Sequence, residues 1–232
     1  MEKKIKEVEK TINPDYQLAQ RKAWEMLKKY SHPTLPIDLG QIILSVPNLD
    51  AITYSRLAEL YECSISEVAE IADSDDGTLW YRSSENDYLI AYNDTIPNEG
   101  QKRFTIAHEL GHFFLKHDEV CSQPLSIVTE KLGFVSDEEY EIDEKEANYF
   151  AKRLLAPIPL ILDISKMIGA IDIFTMADIF NISWTAAEYI IDNMNNLKKY
   201  GFYPIDYELS SLYRGAVSES AKPYMQLAKG VN

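Results

Sequence analysis

Apolar positions recur along this chain with two different periods. Across residues 14–30, Leu18, Ala19, Ala23, Trp24 and Leu27 return near helical spacing, which predicts an amphipathic helix ended by Pro33 and Pro36. Further helices are expected from Ile37 to about Val46 and from Tyr54 to Ala72, the latter with Leu57, Leu60, Tyr61 and Val68 facing inward. The period then shortens. Residues 78–82 and 88–92 are short, rich in aromatic and aliphatic side chains, and separated by Ser83-Ser84-Glu85-Asn86-Asp87, the signature of a β-hairpin. A loop containing Pro97, Asn98 and Gly100 leads into a helix from about Phe104 to Lys116. An acidic connection (roughly 117–140) precedes a helix from about Ile142 to Ala156, stopped by Pro157 and Pro159. From Leu160 the pattern reads as helical through Tyr200 and then as irregular, with no internal repeat.

The helix after the loop carries the chemistry. It contains Ala107-His108-Glu109-Leu110-Gly111-His112, and residues four apart share a helix face, so His108 and His112 can present two imidazoles to one ion. Glu109 lies a step round the helix, where it can reach an attacking water without ligating the metal. Zinc suits this arrangement, because catalytic zinc takes three protein ligands and keeps a further position open. The bland alternative is a pair of core histidines satisfied by backbone carbonyls. Two of only four histidines falling at this spacing around a glutamate argues against it.

A third ligand is expected from the following helix. Its apolar stripe is Ala147, Phe150, Ala151, Leu154 and Leu155. On a helical wheel Asp143 and Glu144 sit nearest that stripe, whereas Glu146 points away and is expected to be replaceable. Helical geometry therefore leaves Asp143 and Glu144 both open. His117, five residues past His112 and beyond the expected helix end, reads as a surface or loop residue.

Composition narrows the setting. The chain has 232 residues, a net charge of −14 and two cysteines, Cys63 and Cys121. That length suits a medium domain or a domain with an appendage. Two cysteines in unrelated contexts are not a disulfide framework, and the charged N-terminal stretch lacks the apolar core of a secretory signal. No apolar run approaches the length of a membrane span, so a cytoplasmic protein with no membrane partner is expected. The acidic balance argues against nucleic acid as a direct partner. Residues 1–35 are more basic than acidic, most simply as a solvated helix face. Residues 173–195 have the outline of a helix-turn-helix, but Asp163, Asp172, Asp178, Glu188 and Asp192 face a single base, Lys166, across residues 163–195. A DNA-reading helix needs the opposite sign, so a packing or protein-docking module is expected there.

Two blocks give the chain a likeness. Arg103 to Phe114, followed by Glu144, Glu146-Ala147-Asn148, Phe150-Ala151, Leu154-Leu155 and Pro157, resembles the ImmA/IrrE-type metallopeptidases, in the right order; Ala156 stands where that family usually has methionine. The resemblance covers residues 36–160 best and the C-terminal third only loosely. It implies an α+β, zincin-like metallopeptidase domain, mostly helical with a small β-hairpin or sheet, plus a helical C-terminal module. The implied divisions are an N-terminal helical segment (1–35), the peptidase domain (36–160) and the helix-turn-helix-like module (161–232). It favours Glu144 over Asp143 as the third ligand of one zinc ion held with His108 and His112, and it makes Asn148 a residue that orients a ligand.

The implied activity is amide-bond hydrolysis, with Glu109 taking the water's proton and passing it to the leaving amine. An oxyanion stabiliser is expected but not identified; Tyr140 and Tyr149 are candidates. The likeness further implies a protein substrate, namely a helix-turn-helix transcriptional repressor whose cleavage relieves repression. The alternative is a zinc-bearing regulator that binds such a partner without cutting it.

Overall fold

The computed structural model describes residues 13–117, 121–122, 137–199 and 204–229. Residues 1–12 of the expected basic start, and most of the acidic connection, lie outside these residues. Helix α1 (Tyr16–Tyr30) begins where the Asp15 carboxylate accepts the Leu18 N–H at 2.8 Å, satisfying one of the N–H groups a helix start leaves without a partner. It buries Ala19, Ala23, Trp24, Met26 and Leu27. Helix α2 (Leu39–Ser45) is capped in the same way by Asp38.

Strand β1 (Leu49–Thr53) follows, an element the apolar pattern did not announce. The single helix expected over residues 54–72 is in fact two, α3 (Tyr54–Tyr61) and α4 (Ile65–Ala72). Glu62 closes α3 in the left-handed conformation, and Ser64 opens α4 through a reciprocal capping box with Glu67. The break turns Leu60 and Tyr61 to solvent, although Leu57 and Val68 are buried as expected.

The hairpin is present as β2 (Gly77–Arg82) and β3 (Asp87–Tyr92), antiparallel, with Leu79 opposite Ile90 and Trp80 opposite Leu89. Arg82 grips Asp87 beside the turn that joins the two strands. β1 adds to β3 in parallel, and the two-residue β4 (Cys121–Ser122) adds in parallel to β2, giving the order β1-β3-β2-β4. Side chains alternate across a strand, so this sheet has two covered faces. Leu79 and Ile90 join the main core, whereas Trp80, Leu89 and Ala91 pack with Tyr54, Leu57, Val68 and Ala72 of α3 and α4.

Helices α5 (Glu99–Leu115) and α6 (Asp137–Leu155) form the centre of the molecule, with α1 lying along α6. α7 (Ile158–Ile168) starts directly after Pro157 and carries Pro159 in its first turn, where a missing N–H costs little. α8 (Ile173–Phe180) and α9 (Trp184–Lys199) are joined by a turn at left-handed Asn181. The stretch expected to be irregular after Tyr200 holds two more helices, α10 (Tyr207–Leu212), capped by Asp206, and α11 (Arg214–Lys229). One apolar core runs from Ala19 of α1 through α5, α6, α7 and α8 to Tyr213 and Val217. The chain is α+β, mostly helical with one small sheet. Among the described residues no helix is long and apolar enough to cross a membrane.

Candidate metal centre

The approach of α5 to α6 is set by small residues. A Cβ added at Gly111 would lie 3.0 Å from Ala147 Cα and 3.1 Å from Ala147 O, so only glycine lets the backbones come this close. Ala107, Leu110, Phe150, Ala151 and Leu154 belong to the core around that point, Ala147 is fully buried, and Phe114 stacks on Phe150. The N-terminal end of α5 is held by a second close approach, at Gly100, where a Cβ would come within 2.6 Å of Ser183 N. Arg103 tightens the same joint by donating to Asn181 O and Ile37 O. The letters that made the two blocks recognisable thus include packing residues as well as chemical ones.

This packing brings His108, His112 and Glu144 together. His108 Nε2 and His112 Nε2 are 2.9 Å apart, with Glu144 oxygens 3.4 Å from the first and 3.2 Å from the second. Zinc bonds of about 2.0–2.1 Å in a tetrahedron separate neighbouring donor atoms by roughly 3.3 Å. Two imidazole nitrogens and a carboxylate that turns one oxygen to each of them, at these separations, therefore fit a zinc ion. Asp143, the alternative left open by helical geometry, turns to a different cluster.

Electrostatics tie the group together. Burial pushes the Glu144 carboxyl up, but hydrogen bonds and charge from His108 and His112 outweigh it and hold the carboxyl well below the usual range. Burial likewise lowers His108, and Glu144 and Glu109 more than reverse the effect, leaving it raised. Glu109 is buried; desolvation raises its carboxyl against the opposing influence of His108 and His112, and it accepts a hydrogen bond from the Leu79 backbone in β2. A carboxyl raised by burial beside a polar cluster is the condition that suits a general base. Asn148 lies beside His108 and adds the smallest of the contributions favouring its charged form, while His108 Nδ1 itself finds no normal hydrogen bond among the described residues.

One expectation needs correction. His117 is a buried residue, 6% exposed, not a surface one. Lys116 ends α5 in the left-handed conformation, and His117 N–H then reaches back to His112 O, the helix-ending turn that folds the next residue onto the helix flank. His117 Nδ1 comes to 3.0 Å from His112 Nδ1, and its Nε2 faces Glu146 at 3.3 Å and Asp143 at 3.7 Å. Glu146 points away from His108 and Glu144, as the helical wheel expects, and its side chain keeps 12% exposure. Its other oxygen accepts the Asp15 N–H at the start of α1, at 2.6 Å. The helical wheel sets His117 aside because it stops at Lys116.

Of the two tyrosines considered for oxyanion stabilisation, Tyr149 packs its ring at a tilt against Tyr16 and its hydroxyl accepts from Arg153, while Tyr140 is exposed. Beside Asn148 a polar cleft of about 580 Å³ opens between Tyr16, Lys145, Tyr149, Lys152 and Tyr189. Lys152 stands over the Tyr189 ring at 3.9 Å.

No curated protein matches the chain. A family description does match, that of the IrrE N-terminal-like domain, across residues 65–191, a span containing both histidines of α5, all of α6 to α8 and the first half of α9. With more than half its length matched in this way, the chain belongs to the IrrE N-terminal-like peptidase family.

Proposed function

We propose that this protein is a zinc-dependent endopeptidase of zincin-like build. The observation that carries the reading is the convergence of two imidazole nitrogens, 2.9 Å apart, on a carboxylate whose two oxygens lie 3.4 and 3.2 Å from them, with the buried carboxyl of Glu109 next in sequence to His108. His108, His112 and Glu144 hold the ion, and Asn148 helps fix the His108 ring. Zinc bound there supplies Lewis acidity, polarising the scissile carbonyl and making a water acidic enough to attack near neutral pH. Glu109 removes that water's proton as attack begins and delivers it to the departing amine. The cleft beside Asn148 offers room for a stretch of polypeptide along α6, with Lys145 and Lys152 as cations and three tyrosine rings as apolar faces.

The family likeness supports a helix-turn-helix repressor as substrate. The test is direct: Glu109→Gln keeps the three donors and removes the base, so the variant retains zinc while losing cleavage of a repressor encoded beside this protein. Full cleavage by that variant would sink the mechanism.

One observation favours a second reading, a zinc-bearing regulator that binds without cutting. Phe174 and Trp184, 66% and 61% exposed, pack on each other at 4.9 Å at the start of α8 and α9. Mixing wild-type protein with the repressor and reading intact masses separates the two. Fragments support the peptidase, and a stable complex of uncut chains supports the regulator.

A further inference from the structure

The second cluster on α5 and α6, His117 with Asp143 and Glu146, brings together donors that could themselves hold a metal ion. The contact between His117 and His112 decides against that use. A neutral imidazole that ligates through one nitrogen carries its proton on the other. If His112 and His117 both ligated through Nε2, both Nδ1 atoms would carry protons and oppose each other across 3.0 Å. A hydrogen bond at that distance needs one proton and one lone pair.

We infer that His117 is a positioning residue for the metal centre, the middle member of a chain from the ion through His112 and His117 to the carboxylate of Glu146. The inference rests on the reading of His112 as a zinc ligand through Nε2. His112 then holds its proton on Nδ1 and donates it to His117 Nδ1. That acceptance fixes His117 as the tautomer protonated on Nε2, which donates to Glu146, 3.3 Å away, with Asp143 close by. Glu146 is held in turn by the Asp15 N–H, so the orientation of a metal ligand is tied to the first turn of α1. The chain is closed to water at its centre, His117 and Asp143 side chains each keeping 4% exposure. An acceptor on the far nitrogen of a ligating histidine raises its basicity and fixes its ring, and losing such a partner typically weakens metal binding about 10–100-fold.

The experiment uses the full chain and zinc alone as probe. Zinc dissociation constants are measured by chelator competition for wild type, His117→Phe and His117→Gln. Phenylalanine keeps the ring and removes the acceptor; glutamine restores an acceptor for His112 and a donor for Glu146. The inference expects His117→Phe to weaken zinc about 10–100-fold and His117→Gln to recover most of that loss. Glu146→Gln, which keeps the shape and gives up the charge, should lie between wild type and His117→Phe; it also serves if the phenylalanine variant fails to fold. Nitrogen-15 spectra of the zinc-loaded wild type should show His117 protonated on Nε2 and bare on Nδ1. Unchanged affinity in both His117→Phe and Glu146→Gln, a protonated His117 Nδ1, or two tightly bound zinc ions per chain would overturn the inference. Wild type that binds no zinc would remove the proposed function itself, whereas wild type and both variants binding zinc alike would remove this inference alone.

Discussion

The helix pair α5 and α6 carries two histidine–carboxylate clusters, which differ in burial and in the nitrogens they turn to each other. At the first, the His108 and Glu144 side chains retain 15% and 31% exposure, and His108 and His112 direct Nε2 atoms toward a shared point. At the second, His117, Asp143 and Glu146 retain 4%, 4% and 12%, and the shared contact joins two Nδ1 atoms. The same residue types thus give an open set of convergent lone pairs in one place and a closed, directional hydrogen-bond chain in the other. Ligand count alone does not make a metal site; the protons on the imidazoles must also be accommodated.

The largest effect that would break this comparison is expected at Glu144. Glu144→Ala removes a donor and leaves two imidazoles, so zinc should be lost by more than the roughly 100-fold that an outer partner costs, and hydrolysis with it. Asp143→Ala should leave the three donors in place. Metal analysis of the purified variants decides; full zinc in Glu144→Ala with loss in Asp143→Ala would move the ligand by one residue.

A smaller effect is expected where the helices meet. In a free helix, glycine to alanine gains up to about 1 kcal/mol. At Gly111 the new Cβ would press on the Ala147 backbone at 3.0–3.1 Å, and overpacking of this kind costs about 1–3 kcal/mol. Gly111→Ala should therefore lower the melting temperature and weaken zinc together, because spreading α5 from α6 separates the histidines from Glu144. A raised melting temperature would show that the helices have room to part.

Much of this was legible in the sequence, and the exceptions have physical reasons. His108, Glu109 and His112 could be read because their spacing is fixed by the helix on which they sit. The hairpin could be read because its strands are aromatic-rich and its turn polar. β1 could not: Leu-Asp-Ala-Ile-Thr is five residues long, and its strand character comes from pairing with β3. The break between α3 and α4 did leave a trace, Ser64 with Glu67, overlooked because the apolar residues on either side mimic one continuous helix. His117 was misjudged because a lysine, not a glycine, occupies the left-handed position that folds it back onto α5. Helices α10 and α11 were missed among Pro204, Pro223 and the surrounding tyrosines, although Asp206 is a good cap.

The smallest effect sharpens the comparison by serving as a control far from both clusters. Ser64→Ala removes a capping box on α4, which should cost about 1 kcal/mol of stability and leave zinc affinity unchanged. A clear loss of zinc in Ser64→Ala would mean that metal binding reports general stability rather than the geometry of α5 and α6.

The central claim, a metal held by His108, His112 and Glu144 with Glu109 as the base beside it, is tested most directly by a paired measurement on Glu109→Gln. Zinc content and cleavage of the neighbouring repressor are read on the same preparation. The account predicts a full complement of one zinc per chain and no detectable cleavage. Wild-type cleavage by the zinc-loaded variant, or loss of the zinc itself, would contradict it.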